Sequence, residues 1–245
     1  MRYGVFSDVH ANLEAFKAVL NFYDKAGVEE LICCGDLVGY GPQPQECVEL
    51  AISRKNLSSV LGNHDAAVTG RMEKCWFQLN ALEAIEFTGR ALTPSALAYL
   101  SCLPEMLSRP DFIAVHGSPS RPLTEYMLER KQFEETLDLW DGDLCFVGHT
   151  HVPVCFRQEP SGFTETFLFD AGRNRVEVAG GRLVINPGSV GQPRDGDCRA
   201  SCGIYESEGG VFELFRIPYD VAKTRKLMGK AGIPRHLSDR LAFGV

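Results

Sequence analysis

Five short apolar runs each stop at residues able to ligate a metal ion, and no other feature limits this chain's fold as much. Arg2–Ser7 runs into Asp8-Val9-His10, Leu31–Cys34 into Gly35-Asp36, and Ser58–Leu61 into Gly62-Asn63-His64. Phe112–Val115 ends at His116-Gly117, and Leu144–Val147 at Gly148-His149-Thr150-His151. Short apolar runs bounded by glycine read as buried strands. Where strands alternate with helices, ligands gather beyond the carboxyl ends of the strands, because the loops there converge on one crevice. Five of the six histidines fall in these clusters, a placement that scattered core or surface histidines would not produce.

Helical periodicity fills the gaps between the runs. Leu13–Lys25 carries apolar residues at Leu13, Phe16, Val19 and Leu20, and Glu46–Arg54 follows the loop punctuated by Pro42 and Pro44. Trp76–Leu103 reads as helical with a break at Thr93-Pro94, where a proline can open a new helix. Lys131–Leu139 is a further predicted helix. Beyond His151 the texture changes to strands and tight turns. Arg175–Ala179 and Arg182–Ile185 flank Gly180-Gly181, a hairpin signal, and Gly203–Glu206 and Val211–Arg216 flank a second Gly-Gly pair. The last 28 residues read as helical, broken at Pro234. The expectation is one α/β domain over residues 1–245, with residues 72–107 as a helical insertion near the site.

Each cluster alone has a plainer reading. Asp8 or Asn63 suits a helix N-cap, Gly35-Asp36 suits a turn, and His116 alone suits a satisfied core histidine. All five at strand ends favour a metal centre instead. Two aspartates, an asparagine and histidines form a mixed oxygen and nitrogen set without thiolate, which suits Mn, Fe or Zn and is poor for calcium. A shared aspartate can bridge two divalent ions, whose charge favours an anionic phosphate ester and lowers the pKa of bound water.

Taken together, Asp8-x-His10, Gly35-Asp36, Gly62-Asn63-His64, His116 and Gly148-His149-x-His151 resemble the five signature blocks of calcineurin-like metallophosphoesterases, over most of the chain. The resemblance implies two packed mixed β-sheets flanked by helices, a four-layer α-β-β-α sandwich. It implies that Asp8, His10, Asp36 and His151 hold one metal, and that Asp36, Asn63, His116 and His149 hold a second. Asp36 would bridge the two, and His64 would face the substrate and protonate the leaving oxygen. The protein Ser/Thr phosphatases of this superfamily carry an aspartate and an arginine shortly after the Gly-Asp block, where this chain has Gly39 and Tyr40. The GDLVGYGP loop and the NPGSVGQPR segment instead resemble small prokaryotic phosphodiesterases and diadenosine-tetraphosphatase-like hydrolases. The implied function is hydrolysis of phosphodiester or nucleotide-type phosphoanhydride bonds by a hydroxide activated at two divalent ions, Mn first, Fe or Zn as alternatives. Asp36 and His64 are the catalytic candidates. A nuclease using the same site and a non-catalytic binding module are the rival readings.

Composition narrows the partners. A net charge of −7 with no Lys/Arg run argues against a nucleic-acid-binding face, leaving a small phosphorylated substrate as the expected partner; oligomeric state is left open. No run of about 18 apolar residues suggests a membrane span. The opening MRYGVFSDVHAN puts charge where a signal peptide needs its apolar region, so the expected location is cytoplasmic. The nine cysteines, odd in number and without a CxxC pair, read as reduced, mostly buried small hydrophobes.

Three residues are candidates for touching substrate. Asn12 either caps the first helix or contacts the ligand. Tyr40 either stacks on an ester or base or covers a core edge. Arg194 either brings a cation to the phosphate or is solvated on a surface turn. Trp76 and Phe77 either line the pocket from above or, the preferred reading, lie on an amphipathic helix buried against the core, and His236 has no partners nearby.

Overall fold

The computed structural model describes residues 1–170 and 172–245. The apolar runs form strands because each must bury both faces. In β1 (Arg2–Phe6), Tyr3 and Val5 face a core between two sheets while Phe6 faces a core under helices. In β2 (Glu30–Cys33) the alternation sends Leu31 and Cys33 to the helix side and Ile32 to the other. Such two-sided burial is what a near-continuous apolar run encodes.

Strands β1, β2 and β3 (Leu57–Ser59) run parallel, connected by helices α1 (Leu13–Ala26) and α2 (Pro44–Ser53). The Asn12 side chain accepts from the Ala15 N–H to start α1, and Gly27 ends it at φ 67°, in the left-handed region that glycine tolerates. After α3 (Asn63–Val68) come a 3₁₀ turn at Lys74–Trp76 and helices α4 (Leu79–Ala91) and α5 (Pro94–Ser101). Strands β4 (Met106–Arg109), β5 (Phe112–Val115) and β6 (Leu144–Phe146) follow, with α6 (Arg130–Thr136) between β5 and β6. Next come β7 (Val154–Gln158), β8 (Thr164–Leu168), β9 (Arg175–Glu177), β10 (Arg182–Asn186), β11 (Ala200–Glu206) and β12 (Val211–Ile217). Helices α7 (Val221–Lys230) and α8 (Arg235–Phe243) pack together on Met228, Ile233, Leu237 and Leu241.

Two mixed sheets of six strands result, ordered β3-β2-β1-β11-β12-β9 and β4-β5-β6-β10-β7-β8. They share an apolar interior rich in Tyr3, Phe112, Phe146, Tyr205 and Phe212, and helices cover their outer faces, as the expected sandwich requires. All nine cysteines are free, and Cys33, Cys34, Cys47, Cys145, Cys155 and Cys202 are buried.

One expectation is overturned. Gly180-Gly181 does not close a hairpin: β9 pairs with β12 in the first sheet, whereas β10 lies between β6 and β7 in the second. The side chains explain the split. Leu183 and Ile185 face the inter-sheet core and Val184 the opposite core, so β10 needs neighbours on both edges. Strand β9 buries only Val176 and suits an edge. The second Gly-Gly pair, Gly209-Gly210, does join antiparallel neighbours, β11 and β12.

Candidate metal centre and substrate cavity

The five polar clusters leave the carboxyl ends of β1 and β2, the β3 segment, β5 and β6, and they meet between the two sheets. Asp8, His10, Asp36, His116 and His151 are at most 2% exposed, and Asn63, His64 and His149 at most 7%. The loops are knitted through their backbones: Asp8 N–H donates to Gly35 O and His10 N–H to Asp36 O, each at 3.0 Å, and Gly148 N–H donates to His116 O at 2.8 Å. Among the described residues, the non-glycine positions with positive φ are Asp8, His10, Ala11, Asp36, Tyr40, His149 and His151, at 46° to 69°. Left-handed backbone costs on the order of 1 kcal/mol per such residue, and all seven lie in the loops of this site.

Three imidazoles are held in one orientation. The Nδ1–H of His10 donates to Val38 O at 3.1 Å, that of His116 to Cys34 O at 2.8 Å, and that of His151 to Gln192 O at 2.6 Å. A carbonyl only accepts, so a proton is on Nδ1, and in a neutral ring Nε2 then points inward as a lone pair. The inward atoms then crowd: His10 Nε2 lies 3.0 Å from His151 Nε2, and His116 Nε2 lies 3.0 Å from Asn63 Oδ1 and 3.1 Å from His149 Nδ1. Asp8 Oδ1, buried without a hydrogen bond, sits 3.3 Å from His151 Nε2. Asp36 Oδ2 is 3.6 Å from His10 Nε2 and 3.4 Å from His116 Nε2. Electron pairs aimed at one another in a buried space fit cations. Asp8, His10 and His151 form one such group, and Asp36, His116 and His149 another.

The charges of His10, His149 and His151 agree with this arrangement, whereas His116 carries a proton toward Asp36. Burial keeps His10, His149 and His151 well below the ordinary imidazole range, and hence neutral. Burial alone would depress His116 as well, but Asp36 overrides it and pushes His116 up to about 9. Burial likewise works against Asp36, yet the neighbouring imidazoles, His116 foremost, hold it below the usual carboxylate range. Asp8 is raised to about 7, chiefly by burial.

His64 shares a third possible grouping with His10 and Asp36, its ring centroid 5.0 Å from that of His10. Its backbone N–H donates to Asp36 Oδ1 at 2.9 Å, its ring Nδ1 is buried without a partner, and burial lowers the imidazole to about 4. A Cβ at Gly39 would stand 2.5 Å from that Nδ1, so no side chain fits beside the ring there. Gly62 serves a similar close approach, since a Cβ would fall 2.0 Å from Asp36 Oδ1.

Above this floor opens a cavity of about 510 Å³, whose lining includes Asn63, His64 and His149 below and Tyr40, Trp76, Phe77, Tyr126 and Arg194 around. Tyr40 and Arg194 therefore stand at the cavity, with the Arg194 guanidinium 5.9 Å from the Tyr40 ring. Asn12 does not line this cavity. Its Oδ1 accepts from Ala15 N–H and Thr224 Oγ1, and its Nδ2 donates to Gly191 O, so capping describes it. Trp76 and Phe77 depart from expectation. They end a 3₁₀ turn ahead of α4 instead of lying on a buried helix, and Trp76 is 73% exposed. The segment 186–194 is not a surface turn. Asn186, Ser189 and Gln192 are buried, with Ser189 Oγ donating to Asp8 O at 2.8 Å and Asn186 Nδ2 to Gly148 O at 2.6 Å. His236 is exposed on α8.

Several site residues escaped the sequence reading. Asp65 accepts from the N–H groups of Leu37, Val38 and Gly62, tying the Gly-Asp loop to the Gly-Asn-His loop. Its signal was available, since it stands three residues after Gly62 at a helix start. Tyr126 stacks on His149 with ring centroids 3.7 Å apart, and Arg240 of α8 lines the cavity. Neither carried a local sequence signal.

Comparison with known proteins accords with the geometry. A calcineurin-like phosphoesterase superfamily domain matches residues 1–210. An uncharacterised protein of Methanocaldococcus jannaschii is 37% identical over 246 residues, covering 98% of this chain and 97% of the relative. The crystal structure of a metallophosphoesterase from Sphaerobacter thermophilus superposes with a TM-score of 0.89 at 41% identity, covering both chains fully. A hypothetical protein from Pyrococcus horikoshii shares the fold at 17% identity, with a TM-score of 0.81 over 100% of this chain and 98% of that one. No helix among the described residues is long and apolar enough to cross a membrane. On its sequence, its paired mixed sheets and the carboxylates and imidazoles gathered at their strand ends, the chain belongs to the calcineurin-like phosphoesterase superfamily.

Proposed function

We propose that the chain hydrolyses a phosphodiester or nucleotide-type phosphoanhydride bond at a centre of two divalent ions. The observation that carries this reading is the set of inward imidazole nitrogens, crowded to about 3 Å, with carbonyls behind His10, His116 and His151. Asp8, His10, Asp36 and His151 would hold one ion, and Asp36, Asn63, His116 and His149 the other; the reach of Asp36 toward both His10 and His116 supports its role as bridge. The ions, with Mn first and Fe or Zn as alternatives, neutralise phosphate charge and lower the pKa of water.

The chain's own groups do the rest. A water oxygen that has given up a proton to solvent bonds to phosphorus as the bond to the leaving oxygen breaks. His64, at the cavity floor, delivers a proton to that leaving oxygen. An anionic phosphate beside the ring opposes the burial that otherwise holds His64 at about 4. Tyr40 and Arg194 border the space where the phosphate's substituents extend. The glycine at position 39 and tyrosine at position 40, in place of an aspartate and an arginine, set the reading apart from protein phosphatases.

The test is a substrate panel with added Mn²⁺, setting a generic phosphodiester against phosphomonoesters, cyclic nucleotides and dinucleoside polyphosphates. Turnover of the diester or of the polyphosphates at least about tenfold above the phosphomonoesters is expected. Preference for a phosphomonoester, or no hydrolysis of any member, would overturn it.

A further inference from the structure

The cavity carries a pair of cations that the metal centre does not require. Arg194 and Arg240 both line it, with Leu237 beside Arg240 on α8. Other arginines in the C-terminal part of the chain are matched to carboxylates: Arg199 to Asp197, Arg216 to Asp195, and Arg225 and Arg235 to Asp239. Arg194 and Arg240 have no aspartate or glutamate within the 4.0 Å of an ion pair among the described residues. Arg194 instead donates twice to the Gln192 amide oxygen Oε1, at 2.8 and 3.3 Å, and Arg240 Nε donates to the O of Val245, the last residue of the sequence, at 2.7 Å. Burial and the neighbouring Arg194 cation both draw Arg240 below its ordinary range. Two like charges brought to one cavity in a chain of net charge −7 repel each other. That arrangement is stabilised by an anion between them, and guanidinium groups match phosphate oxygens in pairs.

The aromatic lining adds a second requirement. Trp76, Phe77, Tyr126 and Tyr40 offer ring faces around the same space, and such faces stack bases without regard to sequence. A simple diester has one anionic group, and that group is the one the metal centre would engage. The arginines lie on the Tyr40 side of the cavity and would meet whatever anion follows it. Arg240 also lies beyond residues 1–210, the stretch that matches the family, so family membership does not account for it.

We infer that Arg194 and Arg240 hold a second phosphoryl group of the substrate, which makes the substrate a nucleoside phosphoanhydride and not a lone phosphodiester. The inference rests on the phosphoesterase reading given above and narrows it. Calorimetric binding of two nucleotides to the Mn²⁺-loaded protein tests it: AMP, and α,β-methylene-ADP, which adds one phosphoryl group and resists hydrolysis. The wild type should bind the diphosphate analogue at least about tenfold more tightly than AMP, the value of one charge-assisted contact. Arg240→Gln should cut that advantage to less than about threefold, while Arg240→Lys keeps most of it.

An equal affinity for both nucleotides in the wild type would overturn the inference, as would an undiminished advantage in Arg240→Gln. Equal losses in the Gln and Lys variants would also overturn it, because they would assign Arg240 to the Val245 contact alone. Thermal melting of each variant shows that it is folded. The binding assay needs no turnover. A protein that hydrolyses nothing yet shows the arginine-dependent preference refutes the reaction, and one that hydrolyses diesters without the preference refutes only the arginine pair.

Discussion

On the floor of the cavity, Asp8, His10, Asp36, His149 and His151 are buried in left-handed backbone, and carbonyls or N–H groups hold the side chains of Asp8, His10, Asp36 and His151 from behind. Around the rim, Trp76 is 73% exposed and Tyr126 45%, and residues 74–80 hold a 3₁₀ turn and the first residues of α4. The floor is fixed by strands from both sheets, whereas the rim comes from connecting segments. A strained, over-determined floor can hold ligands to a fraction of an ångström before any ligand arrives. A rim with few buried contacts can change its side chains at little cost to the fold.

The largest expected effects come from breaking the floor. Asp36→Ala or His149→Ala should remove metal, seen by elemental analysis, and abolish turnover; an Asp36→Ala protein with full activity would end the proposed mechanism. His64→Ala should keep its metal and lose turnover by roughly 10²- to 10⁴-fold, the span of a general acid's contribution. Loss of metal from this variant would place His64 among the ligands. Gly39→Ala probes the same floor sterically. It puts a methyl against the His64 ring in backbone at φ 99° and should cost about tenfold or more in kcat with metal content unchanged. Activity within twofold of the wild type would show that the ring moves freely.

The rim should respond in the opposite sense. Trp76→Ala should leave the thermal midpoint within about 1–2 °C, because a surface substitution seldom exceeds about 0.5 kcal/mol. It should raise KM for a nucleotide substrate several-fold, with kcat little changed. A fall in kcat with KM constant would move Trp76 from the rim to the reacting centre.

The same contrast explains what was legible in the sequence. The floor was readable because strand ends and ligand types repeat locally: Gly35-Asp36 and Gly148-His149-Thr150-His151 each announce themselves within four residues. The rim was not. Trp76 and Phe77 have the apolar spacing of a buried helix, and only their position ahead of α4 turns them toward the cavity. Arg240 reaches the cavity because α7 and α8 fold back over α1 and the Tyr40 loop, a relation no local pattern records. The two glycine pairs make a related point about the sheets. Gly209-Gly210 and Gly180-Gly181 look alike as punctuation, but strand burial on either side decides which closes a hairpin and which crosses between sheets.

The buried segment from Asn186 to Arg194 has a consequence for how the protein is made. It ties Asp8, Gly148 and His151 through Ser189, Asn186 and Gln192, across sequence separations of 181, 38 and 41 residues. Chains emerge from the ribosome N-terminus first. Asp8 and His10 are thus synthesised long before the residues that hold their loop in place. Until about residue 194 has emerged, His151 lacks the carbonyl that sets its tautomer, and the backbone of Asp8 lacks its clasp. The cluster of carboxylates and imidazoles is therefore completed late, after most of both sheets has been synthesised.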